Sequence, residues 1–438
     1  MVMNPTVSFC TLGCRVNQYE SSAMSAALEE DGFTVVPFGD PCDVCIVNTC
    51  TVTSESDRKS RQMIRRAAKY SSGNVIVCGC FAEVSADSAA AIDGVIAVIG
   101  NKNKSAVTEA AKAAASGTGV INADKPDGES FESCDNAMLL RPGRVRSFIK
   151  VEDGCEGRCA YCIIPKARGP VRSKSPELVL REAAALAAAG SPEVILTGIE
   201  ISAYGADLPR NGDGSRYDLS YLIRDVANFT DIRRIAMGSL DPTLMTDAFL
   251  ARIAEVPELV RHFHLSLQSG SSATLARMRR RYNADQAMRF IEAARRYFPD
   301  AMLSADVIVG FPGESEADFL DSARFCEEAE LLNLHIFPYS VRRGTAAAEM
   351  DGQIPEDEKR RRAEEMERMH EGVRSRIMSR YADRKAPVHV LFERSRGGIL
   401  SGHSEHFVEL EVPGDESLVG RICRVMPNAD GTGVLYDE

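Results

Sequence analysis

Three cysteines fall within eight residues, Cys155-Glu-Gly-Arg-Cys159-Ala-Tyr-Cys162, in a C-x3-C-x2-C run. A four-iron cluster is normally closed by four thiolates, so three from one tight loop leave an iron free to bind a substrate or cofactor. A zinc knuckle is the competing use of such thiols, although zinc sites usually join a C-x2-C to a second, distant pair. Three more cysteines, Cys14, Cys50 and Cys80, each follow a short apolar run of β type. In a parallel sheet those positions share the C-terminal rim, where α/β proteins hold ligands. A second three-thiol cluster can therefore assemble there from residues far apart in the chain. Cys10, Cys42, Cys45 and Cys78 read instead as small core hydrophobes.

The elements that must position these thiols fall into three parts. Runs at Val7 to Leu12, Val44 to Asn48 and Val75 to Cys78 alternate with helical stretches at 18–30 and 56–70. That rhythm predicts an α/β layer on a parallel sheet, and with the Ala-rich helix at 105–116 it forms an N-terminal domain over 1–125. A polar segment rich in turn residues, 126–140, is the expected linker. Over 141–379 the β/α rhythm repeats six times, with strands at 147–152, 193–196, 234–237, 262–267, 302–309 and 334–337. Six units are fewer than a closed eightfold barrel needs, so an open partial (β/α)6 barrel is expected, with its chemistry at the C-terminal strand ends. A charged helix at 358–381 ends this part, and short β runs between Gly, Pro and Asp turns over 380–438 predict a small antiparallel β-barrel.

A chain of 438 residues is too long for one ordinary core. Its thirteen cysteines come without a basic-then-apolar leader, so they are expected to be reduced, and no apolar run approaches the roughly 20 residues of a membrane span. A cytoplasmic protein with no membrane partner is the expectation. The net charge of −11 excludes a nonspecific nucleic-acid coat. Locally, Arg141, Arg144, Arg146, Lys150, Arg158, Lys166, Arg168, Arg172 and Lys174 surround the cysteine loop, and Arg277 and Arg279 to Arg281 form a second basic run, both candidates for phosphate contact. The tail from Arg380 holds seven basic against ten acidic residues, the wrong balance for strong RNA binding.

The C-x3-C-x2-C loop resembles the radical S-adenosylmethionine superfamily. Thr11-Leu-Gly-Cys14-Arg-Val-Asn-Gln-Tyr-Glu-Ser21, Asn48-Thr-Cys50-Thr-Val52, Cys78-Gly-Cys80 and the extension Cys162-Ile-Ile-Pro-Lys-Ala-Arg-Gly169 narrow the likeness to its methylthiotransferase family. The tail is similar in position and size to that family's TRAM domain. The resemblance implies two [4Fe-4S] clusters, an auxiliary one on Cys14, Cys50 and Cys80 and a radical-generating one on Cys155, Cys159 and Cys162. It further implies S-adenosylmethionine as cofactor, with Tyr161, Thr197, Gly198, Ser239, Gln268, Ile308 and Gly310 as its candidate contacts. The implied reaction adds a methylthio group to an unactivated carbon. The blocks Gly13 to Glu20 and His262 to Gly270 resemble the enzymes that act on carbon 2 of N6-threonylcarbamoyladenosine beside the tRNA anticodon. Isopentenyladenosine and a ribosomal-protein aspartate are the alternative substrates, and a catalytically silent iron–sulfur RNA-binding protein is the non-enzyme alternative. The implied partners are the tRNA anticodon stem-loop, an electron donor such as flavodoxin or ferredoxin, and a sulfur donor.

Overall fold

The computed structural model describes residues 4–117, 145–212 and 214–436; the expected linker at 126–140, with Arg141 and Arg144, lies outside them. Five strands, β1 (Thr6–Thr11), β2 (Thr34–Val36), β3 (Val44–Thr49), β4 (Val75–Gly79) and β5 (Val95–Ile99), form a sheet in the order β2-β1-β3-β4-β5. All its pairs are parallel. β3 and β4 are buried along their whole length, which explains their unbroken apolar character, since helices cover both faces of such a sheet. The helices Arg15–Glu30, Ser54–Tyr70 and Ser105–Ala115 complete this layer. β2 and β5 were not expected from the sequence. They are short edge strands with half-exposed patterns, so pairing rather than periodicity defines them.

The central part contains β6 (Arg146–Lys150), β7 (Glu152–Asp153), β8 (Arg172–Ser173), β9 (Glu193–Thr197), β10 (Arg234–Met237), β11 (His262–Gln268), β12 (Met302–Val309) and β13 (Asn333–Pro338). Six of these make the expected partial barrel, as two parallel three-stranded sheets, β10-β9-β6 and β11-β12-β13. Isolated bridges at Ile235–Leu259 and Leu240–Leu265 join the halves. Along β11, Phe263, Leu265 and Leu267 are fully buried against the helices, while His262, His264, Ser266 and Gln268 alternate onto the partly exposed inner face. The arc leaves β6 and β13 as edges. The N-terminal domain covers that side: Arg15–Glu30 packs against β6, and Ser54 and Asp57 bind Ser340 and Arg342 just beyond β13.

After the helix Glu356–Asp383, strands β14 (Val388–Arg396), β15 (Ile399–Ser404), β16 (Glu409–Pro413), β17 (Ile422–Pro427) and β18 (Gly433–Leu435) form an antiparallel sheet in the order β16-β15-β14-β17-β18. A bridge from Glu411 to Thr432 nearly closes it into a barrel. β15 escaped the sequence reading because its Ser-Gly-His composition is weak for a strand. Gly402 is required there, since a Cβ would lie 2.1 Å from the Leu391 carbonyl oxygen.

The small barrel seals the N-terminal end of the large one. Phe407 stacks on His262 at 4.4 Å, and the fully buried Glu193 lies between Arg146 (3.2 Å) and Arg234 (3.0 Å). His406 hydrogen-bonds Asp300 across the seam at 3.2 Å, and Arg261, on the same side as Asp300, donates to it at 2.8 Å. The His406 hydrogen bond, outweighing burial and aided by Arg261, holds the Asp300 carboxyl well below its usual range. A depressed carboxyl contributes stability that is full above its unfolded pKa near 3.9 and is lost as pH falls through the lower folded value. Asp300→Asn is expected to cost about 1 kcal/mol at pH 7 after solvent screening, and to flatten the loss of stability between about pH 5 and 2. Urea denaturation across that pH range checks this, and an unchanged acid limb would refute it.

Candidate functional site

The auxiliary trio meets at the C-terminal rim of the N-terminal sheet. Gly13, at φ 96°, lets the loop after β1 pass so close to β3 that a Cβ would lie 3.1 Å from Cys50 Sγ. Asn17 fastens this crossing, donating to the carbonyls of Leu12 (2.8 Å) and Thr49 (2.9 Å), and its Oδ1 faces Cys14 Sγ at 3.7 Å. Cys80 opens the short helix after β4, and its sulfur accepts from Arg168 Nε (3.3 Å) and Asn101 Nδ2 (3.5 Å).

The second trio sits on the loop between β7 and β8, whose two-residue ladder closes the loop's ends. Gly154, at φ 96°, permits that closure, because a Cβ would fall 1.9 Å from the Pro170 carbonyl oxygen. Each sulfur receives an N–H: Cys155 from Gly157 N (3.2 Å), Cys159 from Arg280 Nη1 (3.3 Å) and Cys162 from Ile164 N (3.4 Å). Such donors stabilise thiolates and set the potential of a bound cluster. Burial pushes the metal-free thiols up, Cys155 to about 11 and Cys162 to about 12, so a cation must accompany their ionisation.

A tetrahedral zinc, with Zn–S near 2.3 Å, draws its thiolates within about 4 Å of one another. Among the described residues, the only three such groups within 4.8 Å of each other are His264, Asp306 and His335. Neither cysteine trio is that tight.

The expected cofactor contacts collect on one mouth. Thr197 and Gly198 end β9, Ser239 follows β10, Gln268 ends β11, and Ile308 and Gly310 lie at the end of β12. Gln268 has φ 70° and Gly310 φ 71°; at Gly310 a Cβ would meet Lys359 Cγ at 2.4 Å. Tyr161, within the cysteine loop, packs edge-on to Phe311, with ring centroids 6.5 Å apart. Beside Gly198, Glu152 accepts from Glu200 N at 2.7 Å, yet Glu152 Oε1 and Glu200 Oε1 are buried without hydrogen-bond partners. Burial, and then Asp241, raise Glu200 to about 7. Two orphaned carboxyl oxygens at the mouth fit a cationic ligand. S-adenosylmethionine, with an ammonium and a sulfonium, is such a ligand.

Between the trios lies an ionic cluster that the sequence did not reveal. The fully buried Arg168 reaches Asn17 Oδ1 (2.7 Å), Glu20 Oε1 (2.5 Å), Asp153 Oδ2 (3.4 Å) and Cys80 Sγ (3.3 Å). Lys104 and Lys150 also bind Glu20, at 2.6 Å and 2.9 Å. Burial opposes the charge on Glu20, but Arg168, Lys104 and Lys150 outweigh it and hold the carboxyl well below its usual range. The expected basic surface is thereby corrected. Lys150, Arg168, Arg172 and Lys174 are buried and Arg146 is half-buried, and all pair internally, with Arg146 on Glu393, Arg172 on Asp153 and Lys174 on Glu182. Arg277 and Arg280 pair with Asp318 and Asp241. Arg158, Lys166, Arg279 and Arg281 are exposed. Arg342 is likewise an internal clamp, on Asp57 and Thr51.

On the inner face, His264 Nε2 and His335 Nδ1 lie 3.0 Å and 3.1 Å from the same Asp306 oxygen. Burial opposes ionisation of Asp306, but both imidazoles outweigh it and bring its carboxyl to about 2; Asp306 in turn raises His335.

Residues 149–326 match the Radical SAM superfamily and residues 6–100 match Uncharacterized protein family UPF0004. A threonylcarbamoyladenosine tRNA methylthiotransferase of Bacillus subtilis is 32% identical over 96% of this chain and 93% of its own length. The enzyme of the same name from Thermotoga maritima is 33% identical over 94% and 92%. A tRNA-2-methylthio-N(6)-dimethylallyladenosine synthase of Symbiobacterium thermophilum is 31% identical over 99% and 94%. Among solved structures, the radical S-adenosylmethionine methyltransferase TsrM of Kitasatospora setae aligns over 76% of this chain and 73% of its own, with TM-score 0.54 and 15% identity, a likeness of fold alone. Among the described residues no helix is long and apolar enough to cross a membrane.

Proposed function

Since this chain belongs to the radical S-adenosylmethionine tRNA methylthiotransferase family, we propose that it adds a methylthio group to carbon 2 of N6-threonylcarbamoyladenosine in the tRNA anticodon loop. The observation that carries the reading is the linkage of two open thiol trios. Six residues beyond Cys162, Arg168 touches Cys80 of the other trio, so a substrate atom can be served from both. The repeated threonylcarbamoyl specificity among full-length relatives favours that nucleoside over the isopentenyl one.

When bound, two [4Fe-4S] clusters and S-adenosylmethionine supply the radical that removes hydrogen and the sulfur and methyl that replace it. The chain's own work is positional. Cys155, Cys159 and Cys162 hold one cluster and Cys14, Cys50 and Cys80 the other, while Arg280 and Arg168 donate to their sulfurs. Glu152 and Glu200 present unpaired oxygens to the cofactor's cationic end, with Thr197 and Gly198 beside them and Ser239, Gln268, Ile308 and Gly310 around its nucleoside. The covering N-terminal domain keeps water from a site where reactive carbon must meet only sulfur. The reading requires a one-electron donor of flavodoxin or ferredoxin type, a sulfur donor, and the cytoplasm, where tRNA is modified.

The test is anaerobic reconstitution with reductant, S-adenosylmethionine and tRNA bearing either threonylcarbamoyl- or isopentenyladenosine, followed by nucleoside mass analysis. A methylthio gain on the threonylcarbamoyl substrate alone is expected. Gain on the isopentenyl substrate alone would reassign specificity; release of 5′-deoxyadenosine with gain on neither would point to the ribosomal-protein aspartate.

A further inference from the structure

The inner face of the barrel carries two features that the cluster chemistry leaves unused. One is Arg15, the residue after the ligand Cys14 and the first of the helix that covers the barrel's open side. Arg15 begins that helix where it packs on β6, the edge strand of the open side, and its charge reaches His262 and His335 on the inner face and Arg146 and Glu193 at the barrel's foot. It forms no hydrogen bond or ion pair with any described residue. The nearby carboxylates are already engaged: Glu193 by Arg146 and Arg234, and Asp306 by His264 and His335. A half-enclosed guanidinium with no counter-ion among the described residues is poorly compensated for its lost hydration, and it strongly favours an incoming anion.

The other feature is β13. Leu334 and Ile336 pack into the core, whereas His335 and Phe337 alternate onto the opposite face, where Phe337 is 48% exposed. An open aromatic ring near the mouth is a stacking platform for a base. One pleat below it, His335 is fixed by Asp306 through Nδ1, and among the described residues no hydrogen bond engages its Nε2.

Resting on the methylthiotransferase reading above, we propose that Phe337, His335 and Arg15 form the pocket that distinguishes the modified adenosine, with the base against Phe337 and the threonyl carboxylate received by Arg15 and His335. The chemistry selects among the family's nucleosides. An isopentenyl arm is an uncharged hydrocarbon and would leave Arg15 unmatched, while a threonylcarbamoyl arm ends in a carboxylate that fits a bidentate guanidinium. Asp306 and His264 act through His335 as positioning residues. The same three side chains could instead hold a divalent metal, and the experiment distinguishes the two.

The reconstituted holoenzyme is titrated with fluorescent anticodon stem-loop RNA bearing either threonylcarbamoyladenosine or its methyl ester, and methylthiolation of both is followed in parallel. The ester is expected to bind about 10- to 100-fold more weakly, the worth of a charge-assisted hydrogen-bond pair. Arg15→Gln should weaken the acid by a similar factor and leave the ester unchanged, while Arg15→Lys restores most of the preference. Iron content verifies that Cys14 still holds its cluster in each variant. Equal binding of acid and ester by the native holoenzyme, or an equal loss for both in Arg15→Gln, overturns the proposal. So does a stoichiometric zinc ion that His335→Gln removes. An Arg15-dependent preference for the acid without any methylthiolation would uphold the pocket and count against the reaction.

Discussion

Cys50→Ala is expected to abolish methylthiolation while leaving reductive cleavage of S-adenosylmethionine intact. Cys50 follows β3 in the N-terminal sheet, whereas all three cysteines of the radical loop and the orphaned Glu152 and Glu200 oxygens belong to the barrel. The backbone at Cys50 is held by Ser60, whose hydroxyl donates to its carbonyl at 2.9 Å, and alanine keeps that bond. The variant thus removes a ligand without removing an element. Loss of an outer-shell partner alone typically costs about 10- to 100-fold at a metal site, so loss of one of three ligands should exceed about 100-fold in product. Cys159→Ala should instead abolish both product and 5′-deoxyadenosine, because it opens the radical cluster itself. The two variants are read by nucleoside mass, 5′-deoxyadenosine release and iron content. If Cys50→Ala lost cleavage and the iron of both sites together, the separate assignment of the trios would fail.

Arg168→Met should be among the most destabilising single changes in the chain, with a cost of about 3–5 kcal/mol. The methionine fills much of the volume but none of the charge. Glu20 and Asp153, 5% and 2% exposed, would lose a shared cation, and Asn17 Oδ1 and Cys80 Sγ would lose donors. Lys104, Lys150 and Arg172 still face the two carboxylates, which limits the loss to that of one member of a network. Urea denaturation of the iron-free protein reads the folding cost separately from cluster loading. Iron content should also fall, by the auxiliary share, because Asn17 fastens the Cys14 and Cys50 loops. The exposed pair Arg58–Glu55 provides the control: Arg58→Met should leave the urea midpoint unchanged. A midpoint for Arg168→Met equal to that of the control would show that the cluster contributes nothing net.

The parts of this protein that were legible in its sequence are those written locally. The C-x3-C-x2-C loop places three thiols within eight residues, so its chemistry depends on spacing alone. The apolar runs of β3, β4, β9 and β12 are buried nearly throughout, and continuous hydrophobicity bounded by turn residues is a strong strand signal. Strand order then gathered Cys14, Cys50 and Cys80, because successive parallel strands end on one rim. β2, β5 and β15 were illegible because their existence depends on a neighbour to pair with.

Charge was where sequence reading reached its limit. A cluster of Arg and Lys around a reactive loop looks the same whether it faces phosphate or carboxylates from another domain. Glu20 and Arg168 stand 148 positions apart, and nothing near either residue announces the other. Likewise Arg15 reads as an ordinary first-turn residue until the fold sets it over the open side of a barrel, where it forms no ion pair with any described residue. Which thiols are available and which strands carry them could be read from the residues alone, since those follow from side-chain type and local periodicity. Which charges cancel and which remain for a ligand emerged from the fold, because pairing depends on distance and desolvation, and both arise only when the domains close on one another.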